Sequence, residues 1–175
     1  MDYRIVYKEP FRIVGFKKRI TLQFEGINHQ TDSLIAKLTP EIIVELKGLC
    51  NREPHGMLNC AARIDASVPF DPAKKPTEGD WLDWYIGVAT TQSAPDGYDV
   101  LEVNESEWVV FTVIGPFPKT IDDTWARIYA EWFPASEYEL IGGPELVWYE
   151  SADLTKPDLK NELWIPVAKK RGTVL

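Results

Sequence analysis

Glu145 and Tyr149 stand at the two ends of the apolar stretch Glu145-Leu146-Val147-Trp148-Tyr149, which reads as a β-strand. Residues four apart on a strand share a face, so the carboxyl and the phenol are expected to point the same way. A buried carboxyl with a raised pKa can activate water or protonate a leaving group, and a tyrosine hydroxyl can assist. Glu145 and Tyr149 are therefore the candidate catalytic pair. Glu131, beside Trp132 on an expected helix, is the second candidate acid. Around these acids the chain carries seven Trp, seven Tyr and seven Phe. Most of those rings must be core. A subset next to acids on strands can line a cleft, and Trp84, Tyr85, Phe111, Trp148 and Trp164 join Glu131 as candidate ligand-binding residues. Alternation places Asp83 and Tyr85 on one face, and Glu162 and Trp164 on the matching face of a second strand. An aromatic wall with one carboxylate suits a flat, apolar or cationic molecule, because rings supply stacking and cation–π attraction while the acid supplies charge.

Other chemistries have less support. The sequence contains no Gly-x-Ser-x-Gly elbow, no P-loop and no Gly-x-Gly-x-x-Gly run. Cys50 or Cys60 with His55 forms no recognisable catalytic motif. Two histidines and two cysteines at these spacings make no conventional zinc site, so neither metal nor cofactor is expected. The net charge of −8 repels phosphate backbones, which makes nucleic acid a poor partner. The short basic runs at Lys17-Lys18-Arg19 and Lys169-Lys170-Arg171 read as solvated charge at a strand end and a terminus. No apolar run approaches the ~20 residues that span a bilayer, and no secretory signal opens the chain. A cytoplasmic location with reduced thiols, and no membrane partner, is the expectation.

The elements that must position these residues follow from periodicity. A length of 175 residues, 45% hydrophobic, suits one domain. Strands are expected on either side of Pro10, the second over Phe11 to Leu22, and again over Gly56 to Ile64 and Trp81 to Thr91. Leu34, Ile35, Leu38, Ile42, Ile43, Leu46 and Leu49 recur at helical steps, broken at Pro40, where Thr39 can cap a second helix. Ala66 to Gly79 is a surface loop or lid. Then come strands over Tyr98 to Val103 and Glu107 to Ile114, a helix over Lys119 to Phe133 ended by Pro134, and strands over Tyr138 to Ile141, Glu145 to Tyr149 and Glu162 to Ala168. Gly142-Gly143-Pro144 is a turn. Asp83-Trp84-Tyr85-Ile86-Gly87-Val88-Ala89 matches Glu162-Leu163-Trp164-Ile165-Pro166-Val167-Ala168 position by position. The halves, about 1–92 and 98–170, thus read as duplicated β-α-β-β units. The expected fold is α+β: one mainly antiparallel sheet with helices on one face and a central cleft.

Trp108-Val109-Val110-Phe111, Gly115-Pro116, Trp125, Ile128-Tyr129, Glu131-Trp132-Phe133-Pro134 and Tyr138-Glu139 resemble the signature of GyrI-like domains. Gly143-Pro144-Glu145-Leu146, Tyr149 and Leu163-Trp164-Ile165-Pro166-Val167 continue it, and Pro10-Phe11-Arg12-Ile13-Val14-Gly15 with Trp84 to Gly87 matches its first half. Such domains also serve as effector-binding domains of AraC-type and multidrug-responsive transcription regulators. The pattern begins at the first residues, so the resemblance implies the stand-alone form. It implies a binder of a hydrophobic or cationic small molecule. The alternatives are a hydrolase of cyclopropane-type electrophiles using a pocket glutamate, and a protein-interaction module such as a gyrase inhibitor. The family often carries an acid two residues before the equivalent of Tyr149, where this chain has Val147.

Overall fold

The computed structural model describes residues 1–172. Nine strands form one antiparallel sheet: β1 (Asp2–Lys8), β2 (Phe11–Thr21), β3 (Leu58–Ala62), β4 (Trp81–Thr90), β5 (Asp99–Val103), β6 (Ser106–Ile114), β7 (Tyr138–Leu140), β8 (Glu145–Tyr149) and β9 (Lys160–Lys169). Their order is β1-β6-β9-β8-β3-β4-β2-β5, and β7 pairs with the far end of β9. The two halves of this order mirror each other. Strands β2, β4 and β3 correspond to β6, β9 and β8, as the matching segments in β4 and β9 foretell. The halves exchange their edges, because β1 pairs with β6 while β5 pairs with β2. The halves join where β3 meets β8, with Cys60 opposite Leu146.

The helices divide between the halves. Helix α1 (Asp32–Ile35) and helix α2 (Pro40–Leu49) come from the first, and helix α3 (Lys119–Arg127) from the second. Thr39 caps α2 as its sequence predicts: its hydroxyl accepts from the Ile42 N–H at 3.3 Å, and Pro40 occupies the first turn. Leu46 of α2 packs on Val14 and Val88, while Ile121 of α3 packs on Val109, Phe111, Val147 and Leu163. Helix α3 does not run unbroken to Phe133. A π-turn (Ile128–Trp132) intervenes before a last short turn, Phe133–Ala135, so Pro134 opens a new turn instead of ending the old one.

The opposite face of the sheet packs on itself. Phe11 of β2 meets Trp108 of β6 with ring centroids 6.0 Å apart, although β9, β8, β3 and β4 lie between those strands. Tyr85, Cys60, Leu146 and Trp164 fill the same cluster. Curling of this kind needs a close strand approach at Gly15 and Gly87, which face each other across β2 and β4. A Cβ on Gly15 would overlap the Ile86 carbonyl, so any side chain there forces the strands apart. No helix among the described residues is long and apolar enough to cross a membrane.

Candidate functional site

Register decides which side chains share the helix-covered face at the centre of the sheet. Ala61 of β3 pairs with Trp84 of β4 on one side and Glu145 of β8 on the other. The row Trp84–Ala61–Glu145 therefore crosses the junction between the halves. Two strand spacings put the indole and the carboxyl strands about 10 Å apart at Cα, and the alanine methyl between them is too short to fill that span. All three residues keep some solvent contact. Helix α2 packs on β4 and helix α3 on β6, to either side of the β3–β8 junction that this row crosses.

Glu145 is closely surrounded by protein, although part of the residue stays open to solvent. Burial pushes its carboxyl up to about 7, against a smaller opposing pull from its hydrogen bond with Tyr129. The Tyr129 hydroxyl donates to Oε1 of Glu145 at 3.1 Å. Burial and the adjoining Glu145 in turn hold the Tyr129 phenol far above its ordinary range. Among the described residues Glu145 enters no ion pair. Among the described residues the buried indole N–H groups of Trp84 and, on the opposite face, Trp108 find no acceptor.

Tyr149 does lie on the Glu145 face, but its hydroxyl belongs to another partner. Asn59 Nδ2 donates to it at 3.4 Å, and burial raises the phenol to about 12. Val147, between the two, is 9% exposed and packs under α3, so the position where the family often has an acid is core here. Asn59 lies opposite Val147, and the symmetry of the junction makes Asn59 the first-half counterpart of Glu145. The remaining candidates are dispersed. Phe111 is fully buried on the helix face, its ring between Tyr3 and Trp132. Tyr85 and Trp164 lie on the self-packed face, where the Trp164 N–H donates to Glu162 at 3.0 Å. Trp148 is half-buried, its N–H donating to the His55 carbonyl at 2.8 Å. Glu131 is exposed on the helix and pairs with Arg127 at 3.2 Å.

The structure thus places Trp84 and Glu145 on one row and adds Tyr129, which the residue types and spacing had not singled out as a site residue. Ala61 is the other addition, and its role exists only through pairing. The basic run at Lys17-Lys18-Arg19 is used in structure: Lys18 donates to the Gln30 carbonyl and Ser33, and Arg19 pairs with Asp83 at 3.1 Å.

A family model described as the GyrI-like small molecule binding domain matches residues 1–168. No curated protein matches the chain. Among solved structures, SAV2435 bound to tetraphenylphosphonium aligns with a TM-score of 0.72 at 20% identity, over 96% of this chain and 94% of that one. A putative bacterial transcription regulation protein from Staphylococcus aureus MU50 aligns at 0.60 and 20% identity, over 95% and 98% of the two chains. The EcmrR C-terminal domain aligns at 0.57 and 17% identity, over 97% and 100%. At such identities the likeness is one of fold.

Proposed function

Because this chain belongs to the GyrI-like small-molecule-binding domain family, we propose that the Trp84–Ala61–Glu145 row is the floor of its ligand site and that the ligand is a lipophilic cation. One observation carries the reading: Glu145 is a closely surrounded carboxylate whose hydrogen-bond donor is a neutral phenol and which has no cationic partner among the described residues. Desolvation without a countercharge is costly, and a ligand that brings both a positive charge and apolar surface relieves it. Trp84 adds a ring face for cation–π contact. The tetraphenylphosphonium bound to SAV2435, a protein of the same fold, supports the choice of class.

The test is a tryptophan-fluorescence titration with tetraphenylphosphonium. Saturable quenching is expected, and Ala61→Leu should weaken it at least tenfold by filling the gap, with the melting temperature unchanged. Equal affinity in the two proteins would place the ligand elsewhere.

The same carboxyl supports a second reading. An acid that titrates near neutrality can both accept and donate a proton, as hydrolysis of a strained electrophile requires. Multiple turnovers of a cyclopropane-bearing electrophile, followed by mass spectrometry and lost in Glu145→Gln, would favour catalysis. Survival of every such compound leaves binding alone.

A further inference from the structure

Tyr129 also borders a recess whose lining does not include Glu145. This surface recess of about 320 Å³ is lined by Tyr129, Phe133, Pro134, Tyr138 and Leu140, and by the loop segment Pro72–Lys75. Its base is apolar and aromatic. Its rim is cationic: Lys74, Lys75 and Lys170 reach it, against one carboxylate, Glu139. That sign runs counter to a chain whose net charge is −8.

The parts are held in place independently of any ligand. Lys170 donates to the carbonyls of Phe133 and Ser136, both at 2.7 Å, and so fixes one wall to the end of the helix. The loop is anchored where Phe70 packs over Gly142, a residue with φ of +77° whose added Cβ would lie 2.5 Å from the Phe70 ring. Arg63 stacks above the same ring at 5.4 Å. Lys74 and Lys75 are exposed and enter no ion pair among the described residues, so their charges are available.

We propose that this outer recess is a second binding site, selective for amphipathic organic anions: an aromatic or alkyl body against Phe133, Tyr138 and Leu140, and a carboxylate or sulfonate between Lys74 and Lys75. Apolar surface buried under a charge of matching sign is what such a molecule requires, and the opposite sign of the Glu145 row keeps the two ligand classes apart. The site does not depend on Glu145 binding a cation. Tyr129 links the two, lining the recess and donating to Glu145.

The probe is 8-anilinonaphthalene-1-sulfonate, with uncharged N-phenyl-1-naphthylamine as its control, both read by fluorescence on the folded protein. Lys74→Glu/Lys75→Glu is expected to weaken the sulfonate at least tenfold and leave the neutral probe within twofold, with the melting temperature preserved. Lys74→Gln/Lys75→Gln should give a smaller loss in the same direction. Saturating tetraphenylphosphonium should not displace the sulfonate. If charge reversal leaves sulfonate affinity unchanged, or tetraphenylphosphonium displaces the sulfonate competitively, the proposal is overturned. Sulfonate binding that persists when tetraphenylphosphonium fails to bind at all would sink the cation reading and leave this one standing.

Discussion

Glu145→Gln is expected to weaken tetraphenylphosphonium binding by about 30- to 5,000-fold at pH 8, the range that follows from about 2–5 kcal/mol for removing one partner of a desolvated charge pair. The amide is nearly isosteric and still offers an oxygen to Tyr129, so the hydrogen bond at 3.1 Å survives and the groove keeps its shape. Only the charge is lost. An uncharged aromatic ligand of similar size should be nearly indifferent to the change, which separates electrostatic from steric effects. Calorimetric titration of both ligands against both proteins measures the difference. A loss below threefold for the cation would remove Glu145 from the site.

The same substitution should stabilise the empty protein. A carboxyl at about 7 in the native state, against 4.5 when unfolded, binds its proton more tightly when the chain is folded. Stability contributed by this group is therefore complete below pH 4.5, declines as pH rises, and is lost above 7. At pH 8 the ionised side chain costs up to about 3 kcal/mol, so Glu145→Gln should exceed the native protein by that amount there. At pH 4.5 the two should agree closely, because the native carboxyl is then protonated. Urea unfolding at the two pH values gives the difference, and the subtraction cancels every other titrating group. Equal stability at pH 8 would mean that the carboxyl is well solvated. A binding site that destabilises its own fold until the ligand arrives is a familiar cost of function.

Much of the fold is legible because strand and helix periods are local. The apolar runs Trp81 to Thr91 and Glu162 to Ala168, and the positional match within them, point to a duplicated antiparallel sheet before any contact is known. What local pattern does not contain is pairing across distance. The exchange of β1 and β5 between halves, and the meeting of Ala61 with Glu145, depend on contacts between residues 84 positions or more apart. Glu145 was legible as an acid in an apolar strand. Glu145 and Tyr149 do share a strand face, but four residues at about 3.3 Å each put them about 13 Å apart, so the two groups do not bond each other directly. Tyr129 bonds Glu145 instead, from the π-turn, a distant segment that no local pattern links to the strand. Its polar tip was the available signal, since a buried phenol needs a partner. Glu131 shows the converse. It adjoins half-buried Trp132 in sequence, yet one step around the helix turns it outward to Arg127.

The central claim is that an ionised Glu145 receives the ligand, and titration of tetraphenylphosphonium by calorimetry at pH 5.5 and pH 8 tests it most directly. With a carboxyl that titrates at about 7, the ionised fraction rises about 30-fold between those values, and affinity should rise by about the same factor, with a proton released on binding in the lower range. An affinity that is the same at both pH values would contradict the account.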